Sequence, residues 1–470
     1  MKILLLNPPI TNLISADTPQ ALQEKGDPMP PLGIMYLAAY LEKNTIHQIK
    51  ILDCHLENLD SNQLKEKINQ EKPDVVGITT MTFVLPDVIR IVKLIKQNNP
   101  SVKIILGGPH VHIYPEETIN IKEVDYCVLG EGEKPLKDLL DNLDNTEKLY
   151  KIKGIVFKDN QKVINTGPRE PIQNLDSLPF PARHLTHYKK YSSILATRFP
   201  VTTMFTSRGC PYKCLFCDRP HLGKIFRART AKNVVDEMEE CRKMGIKEIF
   251  IYDDTFGVDR QRVLDICSEI KKRNLDITWD IRTRVNTVDE EILKALRNAG
   301  CQRIHYGVEA GTQKILDVLR KGITLEMAEK AFKLTKKVGI QTLGYFMIGS
   351  PFETKEDILK TIKLMKKLDP DYVHISITTP FPATDLYRMA LEEKIITYDA
   401  WQEFAKNPKP DFVPPIWEKE LSRKELFCLL KKAYRSFYFR PNYILKKIIK
   451  LKSGKELLRK AKAALAILKI

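Results

Sequence analysis

The sequence predicts an α/β protein with two folded units: a doubly wound parallel, Rossmann-like sheet over residues 1–145 and a partial TIM-type (β/α)6 barrel over 196–400. Three observations carry this. Short apolar runs alternate with amphipathic helical stretches in both regions. Parallel strands need helical crossovers of that kind. A helix–glycine–strand joint recurs through the second region. A linker with a hairpin is expected over 146–195 and a basic helical region over 401–470.

In the first unit the strand candidates are Lys2–Asn7, Ile49–Asp53, Asp74–Thr79, Lys103–Leu106 and Asp125–Leu129, with helical patterns such as Leu32–Lys43 and Val88–Gln97 between them. Doubly wound sheets bind ligands beyond the carboxyl ends of their strands. At those ends stand Pro8, the hydroxyls of Thr79, Thr80 and Thr82, then Gly107, Gly108 and Pro109 ahead of His110, and finally Gly130 and Glu131 of Gly130-Glu131-Gly132-Glu133. Such small, glycine-rich edges let a flat ligand lie close to the backbone. The threonines also suit a strand simply as β-formers; their place at the edge makes them candidates. A hairpin is predicted around Asp159-Asn160, and Leu178-Pro179-Phe180-Pro181 reads as linker.

In the second unit the joints place Gly245 ahead of Ile249–Tyr252, Gly300 ahead of Ile304–Tyr306 and Gly339 ahead of Thr342–Ile348. Glycine after a helix takes the left-handed conformation that ends it. With Val201–Thr206, Ile277–Asp280 and Tyr372–Ile377 these give about six βα units, short of the usual eight. Barrel chemistry sits at the carboxyl ends of strands, which makes Tyr252-Asp253-Asp254 and Gly307-Val308-Glu309-Ala310-Gly311 candidates.

The first barrel strand runs into Ser207-Arg208-Gly209-Cys210-Pro211-Tyr212-Lys213-Cys214-Leu215-Phe216-Cys217. Among nine cysteines, this spacing arises by chance on the order of 0.003 times per chain, so the three thiols read as a ligand set. Three thiolates are one short of closing a structural zinc or iron–sulfur site, which leaves one metal position open to a substrate or cofactor. The alternative is structural zinc with a remote histidine, such as His221, as fourth ligand. Cys241, Cys267 and Cys428 lie on helical patterns and read as small core residues, while Cys54, Cys127 and Cys301 carry no signal.

The 470 residues are 43% hydrophobic and 29% charged, a globular composition that excludes disordered, collagen-like and disulfide-rich secreted classes. No apolar run approaches the roughly 18 residues of a membrane span, so a cytoplasmic chain is expected. The net charge is +17, and most of the surplus lies from Lys431 onward, where thirteen basic residues face a single acid, Glu456. From Tyr443 to Ile470 apolar and basic residues interleave at near-helical spacing and aromatics are few. This tail is expected to rest on an anionic membrane surface, with a solvated packing helix as the alternative; nucleic acid is not expected.

Cys210, Cys214, Phe216 and Cys217 match the pattern Cys-x-x-x-Cys-x-aromatic-Cys. Together with Pro30-Pro31-Leu32-Gly33, the two glycine motifs at the sheet edge, the strand-end motifs above, Gly349-Ser350-Pro351-Phe352-Glu353-Thr354, Thr379-Pro380-Phe381-Pro382-Ala383-Thr384 and Tyr434–Pro441, they make the chain resemble the cobalamin-binding radical S-adenosylmethionine (SAM) proteins over nearly its whole length. That family includes anaerobic magnesium-protoporphyrin monomethyl ester cyclases and hopanoid methylases. The resemblance implies a 4Fe-4S cluster on Cys210, Cys214 and Cys217 whose fourth iron chelates SAM. It implies cleavage of SAM to a 5′-deoxyadenosyl radical, and an external one-electron donor of ferredoxin or flavodoxin type. SAM contacts are implied at Phe216, Tyr252, Asp253, Asp254, Glu309 and Gly311, and cobalamin contacts at Pro8, Thr79, Thr80, Thr82, Gly107, Gly108, Pro109, Gly130 and Glu131.

Two departures concern loop geometry: Ala383 stands where the family has glycine, and Ser350 where it has leucine. Asp53-Cys54-His55-Leu56-Glu57-Asn58 is only superficially similar to a cobalt-ligating Asp-x-His-x-x-Gly motif, because it follows the second strand and has Asn58 for glycine. The cobalt is expected to lack a histidine from below. The expected reaction is methylation of an unactivated carbon in a hydrophobic or lipid-like substrate. The alternatives are radical cyclisation or rearrangement without methyl transfer, a tRNA methylthiotransferase-like activity, and a non-enzymatic cobalamin- or metal-binding role. The methylthiotransferases carry three N-terminal cysteines, whereas this N-terminal region has only Cys54 and Cys127.

Overall fold

The computed structural model describes residues 1–15, 28–218 and 225–449. The first unit is a seven-stranded sheet of β1 (Lys2–Asn7), β2 (Gln48–Asp53), β3 (Val75–Thr79), β4 (Lys103–Gly107), β5 (Tyr126–Val128), β6 (Ile155–Asp159) and β7 (Lys162–Asn165), in the order β2-β1-β3-β4-β5-β6-β7. The first five strands are parallel. Strand order reverses direction beside β1 and β3, which opens a ligand crevice at their carboxyl ends. Alternate residues of β1 serve opposite faces. Leu4 and Leu6 pack with Val88, Val92 and Ile95 of the helix Leu85–Asn98, while Ile3 and Leu5 pack with Ile34, Ala38 and Leu41 of the helix Leu32–Asn44.

The hairpin expected within the linker belongs to this sheet. It pairs antiparallel with β5 through Tyr126↔Phe157 and Val128↔Ile155, so the sheet continues to Asn165. The physical reason is edge protection: β5 is only three residues long, and Ile155 and Phe157 bury themselves while pairing a row of backbone groups that the parallel sheet leaves open.

In the second unit β8 (Val201–Met204) leads into a two-stranded ribbon, β9 (Ser207–Arg208) and β10 (Arg227–Ala228). The strands β11 (Glu248–Ile251), β12 (Thr278–Thr283), β13 (Cys301–Glu309), β14 (Gln341–Ile348) and β15 (Tyr372–Ile377) follow. With β8 they form a six-stranded parallel sheet in sequential order, an open partial barrel. Five crossover helices begin at a side chain that accepts a backbone N–H: Thr230, Asp259, Asp289, Thr324 and Thr354. Gly245, Gly300 and Gly339 end three of them at φ 84°, 92° and 77°, as expected.

Ile251, Ile281, Ile304, Phe346 and Ile375 turn outward under the helices. By the two-residue period, Tyr252, Arg282, His305, Tyr345 and His374 occupy the concave face. The edge strand β15 is covered by the helix Arg423–Tyr438. The Tyr434 hydroxyl bonds the Ile375 carbonyl at 2.9 Å and N–H at 3.0 Å, and Tyr438 does the same for Val373. The helix Pro441–Ile449 follows, with Arg440 and Lys446 on Asp369. Most of the basic tail, residues 450–470, lies outside the described residues. Among the described residues no helix is long and apolar enough to cross a membrane.

The segment after the hairpin threads between the units. Ala182 N–H bonds Met35 O at 3.0 Å, and the buried Arg183 guanidinium reaches Thr203 O at 2.8 Å and Glu237 Oε1 at 2.6 Å. Arg229 takes the other oxygen of Glu237. Removing a carboxylate from between two buried cations leaves both uncompensated. Glu237→Ala is therefore expected to lower stability by about 3–5 kcal/mol, read as a fall in denaturant midpoint with an unchanged m value.

Candidate functional site

The carboxyl edge of the first sheet and the start of the barrel share a cavity of about 210 Å³. Thr79, Gly107, Gly108, Pro109, Gly130 and Glu131 line it from the sheet, and Ser207, Arg208 and Asp254 from the barrel; Leu5, Ile105 and Val128 give it an apolar floor. Gly33 and Gly130 also line it, and a Cβ at either would have nothing within 4 Å, so the wall is a bare backbone cradle. At Gly108, φ is 103° and a Cβ would meet Thr80 O at 2.9 Å, which requires glycine there. A flat macrocycle can approach such a wall closely, and these residues fit cobalamin.

Three residues expected to touch that ligand do not line the cavity. Pro8 is buried behind the edge. Thr80 is fully buried, with its N–H on Gly107 O at 2.7 Å. The Thr82 hydroxyl pairs with His110 Nδ1 at 3.1 Å, and burial lowers the His110 pKa to about 3, so the ring is neutral. They build the edge from below. His112, which no motif singled out, lines the wall instead. His55 lies outside the wall, and the neighbouring Asp53 is committed to Asn7 Nδ2 at 2.8 Å, Leu56 N–H at 3.1 Å and the Tyr191 hydroxyl at 2.8 Å.

Glu131 lines the cavity but spends its carboxylate elsewhere. It accepts from Arg227 at 2.8 and 3.1 Å and from Ile172 N–H at 2.7 Å, and lies 3.3 Å from Arg208. Burial raises its pKa, but the Arg227 hydrogen bonds, the Arg208 charge and the Ile172 N–H outweigh that and hold it below the usual carboxylate range. Arg208 also donates to the buried Glu133 at 2.5 Å and packs over the Tyr36 ring, 5.3 Å from its centroid. The acidic pair of the glycine motif is thus a clamp between the units.

Two residues beyond Arg208 the cysteine loop begins. Leu215 is held on both sides by main chain: its N–H bonds Leu319 O and its carbonyl accepts Leu386 N–H, both at 2.9 Å. Arg284 stacks on Tyr212, 3.9 Å from the ring centroid, donates to Cys214 Sγ at 3.6 Å and also bonds Lys321 O. Thr255 Oγ1 lies 3.7 Å from Cys210 Sγ. The Cys217 thiol is pushed up to about 12, first by desolvation within the loop and then by the charges of Cys214, Asp254, Cys210 and Asp218. Thiols that repel one another as thiolates call for a cation among them, and a four-iron cluster supplies one spread over several corners. Among the described residues no three His, Cys, Asp or Glu side chains converge as for a single metal ion. His221, fourth ligand of the zinc alternative, lies outside the described residues.

The strand-end residues divide. Asp254 lines the cavity and adds its charge to that felt by Cys217. Phe216 packs against both the barrel core and the C-terminal apolar cluster, with Lys321 Nζ 5.7 Å from its ring centroid. Tyr252 carries the Arg282 guanidinium 3.8 Å from its centroid. Asp253 is buried, and its carboxylate accepts Thr206 N–H at 2.6 Å, Thr206 Oγ1 at 2.5 Å, Ser207 N–H at 3.1 Å and Ser207 Oγ at 2.6 Å, so it shapes the turn before the cysteines. The Gly311 N–H bonds Thr361 Oγ1 at 2.9 Å, and a Cβ would collide with the Thr361 backbone, so glycine is required there for packing against the helix Lys355–Leu368. Glu309, at φ 73°, is buried and paired with Lys321 at 2.8 Å, a partner no spacing revealed.

The radical SAM superfamily pattern matches residues 204–365, and the B12-binding domain pattern matches 22–140. An uncharacterised methyltransferase of Pyrococcus horikoshii is 37% identical over 452 residues, 95% of each chain. An anaerobic magnesium-protoporphyrin IX monomethyl ester cyclase of Rubrivivax gelatinosus is 31% identical over 88% of this chain and 75% of its own. The cobalamin-dependent SAM radical enzyme OxsB superposes with a TM-score of 0.75 at 19% identity, covering 99% of this chain and 72% of its own. Sheet, barrel and cysteine loop together define a cobalamin-dependent radical enzyme. The chain belongs to the cobalamin-binding radical SAM family, and its cofactors are a 4Fe-4S cluster, SAM and cobalamin.

Arg208→Met leaves Glu133 buried without its cation, at a cost of about 3–5 kcal/mol. The clamp then opens, and cobalamin retained per chain after desalting is expected to fall severalfold against the unmodified protein, read from the absorbance spectrum.

Proposed function

We propose that the protein methylates an unactivated carbon of a small, hydrophobic or lipid-like molecule, with electrons from a donor of ferredoxin or flavodoxin type. The supporting observation is the shared cavity, in which the glycine cradle of the sheet meets Asp254 and Arg208 beside the cysteine loop. When bound, the cofactors supply a 5′-deoxyadenosyl radical and a transferable methyl group. The chain holds the arrangement: Arg208 fixes one unit against the other, Arg284 and Leu215 frame the loop, and Leu5, Ile105 and Val128 keep the floor apolar. The names of the Pyrococcus methyltransferase and of a hopanoid C-3 methylase of Methylococcus capsulatus, 26% identical over 365 residues, support methylation.

The cyclase relative favours a second reading, radical cyclisation without methyl transfer. A methylthiotransferase would need a second cluster, whereas Cys54 and Cys127 are fully buried in the apolar core of the sheet. Anaerobic incubation with SAM and reductant separates the first two: methylation yields S-adenosylhomocysteine and 5′-deoxyadenosine together, cyclisation only the latter. Cys214→Ala is expected to lose iron, cluster absorbance and all 5′-deoxyadenosine formation; retained SAM cleavage would overturn the assignment.

We infer further that the tail 443–470 rests on an anionic membrane surface. Its start is fixed to the barrel by the Tyr443 hydroxyl on Asp371 O at 2.8 Å and by Lys446 on Asp369. The intact protein is expected to co-sediment with anionic liposomes at low salt, and a chain ending at Ile449 to lose most of that binding. Equal binding by the two removes the idea.

A further inference from the structure

We propose that the concave face of the barrel carries an anion-binding subsite centred on Arg282, so that the molecule acted on bears a carboxylate or phosphate group. This rests on the methylase reading and names a chemical feature of its substrate.

Arg282 lies mid-face, in register with His305 of β13; Tyr345 of β14 is in register with His374 of β15. The guanidinium lies against the Tyr252 ring, interacts with the Tyr252 hydroxyl and bonds Ile251 O at 3.4 Å, the long end of the range. A guanidinium has five N–H donors. Among the described residues no carboxylate lies within 4 Å of it.

Two other cations of this face are paired with carboxylates. Arg303 is fully buried on Asp280 at 3.2 Å and on Leu195 O at 2.6 Å, and Lys321 holds Glu309 at 2.8 Å. Asp280 also meets His305 Nε2 at 3.3 Å, and His305 Nδ1 meets the Tyr345 hydroxyl at 3.1 Å. Burial lowers the pKa of both His305 and His374, so neither adds charge at neutral pH. Arg284, two residues on, is spent on the Tyr212 ring, Cys214 Sγ and Lys321 O, and Asp280 acts on Arg282 only from beyond ion-pair distance, so Arg282 is the cation of this face left for a ligand. A half-buried guanidinium has lost much of its water, and a ligand anion replaces it with charge-assisted, planar hydrogen bonds. Tyr252 adds a flat aromatic surface against the guanidinium.

The test uses the full-length protein loaded with cluster, cobalamin and SAM, without reductant, titrated with benzoate, phenylphosphonate and uncharged benzamide by saturation-transfer NMR. Both anions are expected to bind, with benzamide at least tenfold weaker. Arg282→Gln is expected to weaken the anions at least tenfold. Arg260→Gln removes an equal charge from the outer helix Arg260–Lys272, where it pairs with Asp289, and is expected to change benzoate affinity less than twofold. Benzamide binding as well as benzoate overturns the proposal, as does undiminished anion binding by Arg282→Gln or an equal loss in Arg260→Gln. So does a loss of SAM itself in Arg282→Gln, which makes the arginine a cofactor contact. If Arg282→Gln fails to hold its cluster, the benzoate–benzamide contrast in the unmodified protein still decides. Failure of that protein to form 5′-deoxyadenosine with reductant sinks the methylase reading instead.

Discussion

Arg208 stands two residues before the first cluster cysteine and reaches across the cavity to Glu131 and Glu133, on the turn just beyond β5. The glycine cradle at the sheet edge and the cysteine loop on the barrel are therefore referenced to the same guanidinium. A buried ion pair contributes little net stability compared with an apolar substitute, because both charges have been taken out of water. What it contributes is position: partners removed from water tolerate few geometries. Tyr36 beneath the guanidinium and Arg227 on the far oxygen of Glu131 narrow the choice further. The Arg183–Glu237–Arg229 group repeats the device on the linker side, so the units are aligned by two buried charge groups as well as by packing.

The barrel keeps its faces chemically distinct. Outward residues of the strands are almost wholly aliphatic or aromatic and seal against the crossover helices, which supply the stability. The concave face carries arginine, histidine, tyrosine and paired acids. An open six-stranded barrel exposes an edge that a closed one lacks, and β15 meets this with the hydroxyls of Tyr434 and Tyr438, side-chain groups doing the work of a neighbouring strand. The hairpin at the far end of the first sheet solves the same problem with backbone.

Much of this is legible in the sequence because it is local. Alternating apolar patterns place the parallel strands, threonine and aspartate caps with closing glycines mark the crossover helices, and three cysteines on one short loop need no tertiary information. What the sequence conceals is long range. Asp253 and Glu131 sit at strand ends, where ligand contacts are expected, yet their oxygens go to Thr206, Ser207, Arg227 and Ile172, partners no spacing identifies. Gly311 matches a motif but is glycine because a helix fifty residues on passes against it. Lys321 and Arg282 carry no motif: strand register brings Arg282 to the concave face, and the loop after the helix Gln313–Val318 brings Lys321 to Glu309. The hairpin was recognisable as a hairpin; its pairing with β5 was not, since a strand pattern does not name its neighbour.

The frame around Leu215 bears on how the protein is made. Its two main-chain bonds come from Leu319 and Leu386, each more than a hundred residues further along the chain. During synthesis all three cysteines emerge long before either segment exists, and a fragment ending short of Leu386 has every iron ligand but not the loop that presents them. The main-chain frame of the site is thus complete only when the barrel is, although its ligands are read early.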